Sequence, residues 1–147
     1  MPHSAKAFIG PVLLVLMATT LALLWGLSWA AGNYPDCGQM THSLGDAGWV
    51  VGGILLAAVI GITIPVILAV RGRFLLVVPV LLAAGLGVLV AGDAGAAFAA
   101  GQAGCEVWGD IADAGEAMVF GLAVGAAPTL LIVGAVVGIR WLFRPPA

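Results

Sequence analysis

Charged positions divide the chain into four long uncharged stretches, covering 7–35, 47–70, 74–92 and 117–139. None alternates apolar with polar residues, as a transmembrane strand of about ten residues would. A helix crossing a hydrocarbon layer of roughly 30 Å needs about 20 residues at 1.5 Å rise per residue, and each stretch supplies that length. The pattern predicts an all-α integral membrane protein, a four-helix transmembrane bundle of two outward-pointing helical hairpins. The spans are expected at about 8–31, 48–70, 74–92 and 114–142, in a single transmembrane domain over 1–147.

Composition agrees with that reading. Hydrophobic residues make up 63% of the chain and charged residues 8%, with a mean hydropathy of +1.19. That balance belongs to the membrane class. The segments left outside the spans are too short for a nucleotide-binding, kinase or DNA-binding module. The lipid bilayer is therefore the first expected partner, and nucleic acid is not one.

The net charge of −2 conceals a sharp segregation. Lys6, Arg71, Arg73, Arg140 and Arg144 fall at the N-terminus, the central turn or the C-terminus. Asp36, Asp46, Asp93, Glu106, Asp110, Asp113 and Glu116 fall near the other two connections. Basic residues beside short loops stay cytoplasmic, which predicts both termini inside and both acidic loops outside. Trp25, Trp29, Trp49 and Trp108 are expected at the outer rim, with Phe74, Trp141 and Phe143 at the inner one. The first segment is read as a retained helix: its apolar part exceeds the 7–15 residues of a signal-peptide core. Arg in preference to Lys, with abundant Ala and Gly, suggests a GC-rich bacterium and hence its plasma (inner) membrane.

Cys37 and Cys105 each lie near the middle of an acidic loop. Both are nearly equidistant from the flanking basic positions, so they are expected at similar heights. Cysteines on the oxidising face of a membrane usually pair. A bridge closing a loop of about 68 residues is worth ~4 kcal/mol in the chain-entropy model. Redox catalysis is the competing role. There is no C-x-x-C, however, and the neighbouring Asp36 and Glu106 disfavour the thiolate that exchange chemistry needs.

Small residues recur at four-residue spacing in all four spans, the pattern that lets transmembrane helices approach closely. Examples are Ala18, Ala22 and Gly26, then Gly53, Ala57 and Gly61, and in the third span Ala84, Gly87, Ala91 and Gly95. In the fourth, the Gly121/Gly125 and Gly134/Gly138 pairs point to nearly opposite faces at 100° per residue. One face is expected to serve the bundle and the other a neighbouring subunit. Pro65 and Pro128 free the carbonyls of Gly61 and Val124, with Thr63 and Thr129 near enough to help satisfy the local backbone.

Candidate chemistry is sparse. No ionisable residue is expected in mid-span, where coupled transporters need one. The chain has the size of small multidrug-resistance transporters but lacks their first-helix glutamate. Vitamin K epoxide reductase-type enzymes need a C-x-x-C, and b-type haem anchors need histidines within the spans; neither is present. His42 and Asp46 near Cys37 lack a second histidine for a metal site. No cofactor or metal is implied. Asp110, Asp113 and Glu116 recur at the start of the fourth span, suiting an N-cap and the helix dipole, or weak cation binding. Gly-Asp-Ala-Gly, at 45–48 and again at 92–95, reads as helix-end punctuation. The expectation is a non-catalytic accessory or stabilising subunit of a larger membrane complex, of respiratory or envelope-transport type. A small homo-oligomeric transporter or channel is the alternative, and a membrane thiol-disulfide oxidoreductase the third.

Overall fold

The computed structural model of the protein describes residues 3–33, 44–102 and 112–146. These form four helices: α1 (His3–Asn33), α2 (Leu44–Val70), α3 (Val77–Gln102) and α4 (Ala112–Leu142). All four are long and apolar enough to cross a membrane, with candidate spans Ala5–Ser28, Val50–Val70, Phe74–Ala99 and Ala114–Leu142. The third differs most from the sequence reading. α3 continues through Asp93 to Gln102, so the second Gly-Asp-Ala-Gly lies inside a helix and punctuates nothing.

Among the described residues, the central turn is the sharpest feature of the backbone. Gly72 adopts the left-handed conformation, at φ 69°, just past the end of α2. Its N–H donates to the Ala69 carbonyl at 3.0 Å, and that of Arg73 to the Leu68 carbonyl at 2.7 Å. This bond pair is the Schellman motif, which satisfies the last carbonyls of a helix and favours glycine. A single 3-10 turn, Phe74–Leu76, then leads into α3.

The helices do not pair in chain order. α1 packs chiefly on α3 and α2 on α4, with α3 against α4 next; α2 and α3, joined by that short turn, barely touch. Both dominant pairs run parallel. Along α1 and α3, Thr19 meets Gly87 and Gly26 meets Gly92; along α2 and α4, Ile54 meets Gly121 and Ala58 meets Gly125. The expected hairpins are thus linked across their long sides.

Each helix is apolar all round, so side-chain size rather than polarity decides which face turns inward. Ala18, Ala22, Ala57, Ala84, Ala91, Ala96, Ala114 and Ala126 are buried, while Leu, Val and Phe dominate the exposed side. Only a few large side chains, Ile64 and Met118 among them, fill the centre. Small residues inside and large ones outside suit a bundle whose surroundings are as apolar as its core. Trp25, near the end of the first candidate span, turns into the bundle: it is 7% exposed and lies over Gly53.

Hydroxyls within the helices bond their own backbone. Thr19, Thr20, Ser28, Thr63 and Thr129 each donate to the carbonyl four residues earlier, at 2.7–2.8 Å. Thr63 and Thr129 therefore take the carbonyls of Val59 and Gly125, not those freed by the nearby prolines. This back-bonding is the usual refuge of a hydroxyl in an apolar helix.

Candidate functional site

Three features of the bundle bear on function: its glycine contacts, two polar links between helices, and the lower part of α4. The glycines come first. A Cβ on Gly121 would collide with the carbonyl oxygen of Ile54, and one on Gly125 with that of Ala58. A Cβ on Gly61 would likewise meet the Leu122 carbonyl. Backbone therefore lies directly on backbone along α2 and α4, close enough for Cα–H···O contacts. The α1–α3 seam repeats the arrangement, with Gly26 against the Gly92 carbonyl and Gly95 against that of Leu23.

The first polar link is at the acidic end. Asp93 of α3 is half-buried, and its Oδ1 accepts a hydrogen bond from the Gly115 N–H at 2.8 Å. Gly115 lies in the first turn of α4, where N–H groups point outward and the helix dipole favours a negative charge. The approach is very close: a Cβ on Gly92 would stand 3.1 Å from the Gly115 Cα. Since Gly92 also receives Gly26, three helices converge on this point. Reading Asp93 as the border of a span missed this link. The usable sign was the Ala-rich sequence that continues past it, AAFAA at 96–100.

The second link is at the basic end. Pro11 lies inside α1. Having no N–H, it leaves the Ala7 carbonyl without its partner four residues on. The Arg73 guanidinium donates to that carbonyl. One residue of the central turn thus completes the backbone of α1 where an unsatisfied carbonyl would be costly.

The lower part of α4 is the loosest of the described helix surfaces. From Ala127 to Leu142 no residue is buried. Leu131 is 76% exposed, Ile132 66% and Leu142 73%. A Cβ on Gly134 would make an ordinary 3.5 Å contact with the Phe74 ring, and one on Gly138 would meet nothing within 4 Å. The two glycine pairs of α4 therefore sit in opposite circumstances, one locked against α2 and one open.

The remaining candidates are only partly visible. Cys37, Cys105, Asp110 and His42 lie outside the described residues. Asp46 and Asp113 fall in the first turns of α2 and α4, with their side chains outside the description, and Glu116 is exposed. Among the described residues, no three His, Cys, Asp or Glu side chains group closely enough to hold a metal ion. No protein-family model matches the chain, and no curated protein or solved structure matches it either.

Proposed function

We propose that the protein is a multi-pass subunit of the bacterial plasma (inner) membrane, non-catalytic, that stabilises a larger membrane complex of respiratory or envelope-transport type. Both termini face the cytoplasm in this reading, following the segregation of basic from acidic residues. The acidic loops face outward and are joined by a Cys37–Cys105 disulfide. The near-equal spacing of Cys37 and Cys105 from their flanking basic residues, on the oxidising face of the membrane in this reading, supports that pairing.

The observation that carries the subunit role is the unpacked stretch of α4 from Leu131 to Leu142, with Gly138 open along it. Small residues on an exposed helix face allow a second helix to approach as closely as α2 does higher up. Replacing Gly134 and Gly138 together by Leu tests the reading. Co-purification of the partner in mild detergent should fall, while the isolated bundle keeps its stability. Unchanged co-purification would discard this face as the contact.

Asp93 favours a second reading, a small homo-oligomeric transporter or channel. It places an ionisable group within the candidate span Phe74–Ala99, as coupled transport requires. Selective flux through the purified protein in vesicles would establish that reading at the expense of the first.

A further inference from the structure

At the basic end, α1 and α2 separate to leave a cleft of about 640 Å³, within the range of small-ligand sites. Its mouth carries three cations, Lys6, Arg71 and Arg73. Its walls are apolar and include Leu13 and Met17. Lys6 and Arg71 are exposed, whereas Arg73 is anchored by its bond to the carbonyl that Pro11 leaves free. No described acidic side chain lies at this end to balance the charge, since Asp93 and Glu116 belong to the opposite end. Gly10 opens the cleft further, a Cβ there meeting nothing within 4 Å.

We infer that this cleft binds an anionic phospholipid, with the phosphate among Lys6, Arg71 and Arg73 and an acyl chain along the apolar walls. Each half of the cleft selects part of that ligand. Guanidinium groups match phosphate oxygens in a two-point fork, and the ammonium of Lys6 adds a mobile charge. From Lys6 to Met17 the α1 wall extends about 16 Å at 1.5 Å per residue. A free phosphate would leave that wall uncovered, whereas a lipid chain covers it. Basic clefts between transmembrane helices on the cytoplasmic side are a recurrent setting for acidic headgroups. The inference rests on the membrane insertion and orientation proposed above, not on the subunit role.

The test is native mass spectrometry of the full chain in neutral detergent, mixed with phosphatidylglycerol or with phosphatidylcholine of the same chains. Wild-type protein should retain one phosphatidylglycerol in preference to phosphatidylcholine. Lys6→Gln with Arg71→Gln should lower that preference about 30-fold, at roughly fivefold per cation. Gly10→Leu fills the cleft with every charge intact and should displace the lipid. Arg140→Gln with Arg144→Gln, at the same end but outside the cleft, should change nothing. Equal retention of the two lipids would overturn the site, as would a Gly10→Leu protein that binds normally or an equal loss in the Arg140/Arg144 control. Glycerol phosphate competing as well as the lipid would reduce the site to a headgroup pocket and overturn the inference too. Alkaline carbonate extraction separates the premise from the site. A chain washed off membranes fails both, whereas lipid indifference in a chain that resists the wash sinks the site alone.

Discussion

Replacing Asp93 by Ala removes the acceptor of the Gly115 N–H, bonded at 2.8 Å between α3 and α4. A hydrogen bond to a charged group contributes about 1.5–3 kcal/mol. Part of that is the attraction between a carboxylate and a helix N-terminus, about 0.3–1 kcal/mol. Asp93 is half-buried, so a loss of about 2 kcal/mol is expected for Asp93→Ala. Asp93→Asn keeps an oxygen acceptor in place and should cost only the charge, about 0.3–1 kcal/mol. Gly115→Ala attacks the same link from the other side. Its Cβ would meet the Leu89 carbonyl and stand 2.7 Å from Asp93 Oδ1, forcing the helices apart. With the link already broken, adding Asp93→Ala should cost much less than it does alone. The measurement is the free energy of SDS-induced unfolding in mixed micelles for wild type, both single variants and the double. If Asp93→Ala costs less than about 0.5 kcal/mol, or costs the same in both backgrounds, the carboxylate is not holding α4.

Three further outcomes are expected. Arg73→Gln should destabilise the bundle by about 1–3 kcal/mol by stranding the Ala7 carbonyl, and Pro11→Ala should recover much of that by restoring a helical N–H; no recovery in the double variant's melt would refute the link. Gly121→Leu or Gly125→Leu should prevent α2 from docking on α4, abolishing cooperative unfolding, whereas Gly138→Leu should stay within about 0.5 kcal/mol of wild type. Cys37→Ser and Cys105→Ser should each cost up to ~4 kcal/mol, and the double no more than either single. After reduction, a membrane-impermeant thiol reagent should label both cysteines on intact cells, and labelling only after permeabilisation would reverse the topology.

Helix count and approximate spans were legible because length and uninterrupted apolarity alone define a membrane-crossing helix. The small-residue stripes were legible too, since alanine and glycine recur at helical spacing within each span. Which helices those stripes join was not. Connectivity suggests that neighbours in sequence pack together, yet Gly26 serves α3 and Gly61 serves α4. Nothing local encodes that choice, because a glycine seam fits any other seam of similar pitch. Asp93 was misplaced for a different reason. A charge usually marks the border of a span, but here the N-terminus of α4 stabilises the carboxylate and lets the helix run on. The Arg73 link joins residues far apart in sequence. Pro11 gave the only local hint, since a proline inside a helix leaves one carbonyl in need of a donor.

The pairing of α1 with α3 and of α2 with α4 has a consequence for biosynthesis. When α1 leaves the ribosome, its close-packing partner has not yet been made. Translation must advance from Asn33 to Gln102, about 70 residues, which takes about 4–14 s at 5–20 residues per second. For that interval the seam of Ala18, Ala22 and Gly26 faces lipid or the insertion machinery, and α2 then waits in turn for α4. The first hairpin is therefore a half-finished product with two open seams, each shaped for the second. The two hairpins, made as separate polypeptides in one cell, should find each other and complete the bundle without the central turn.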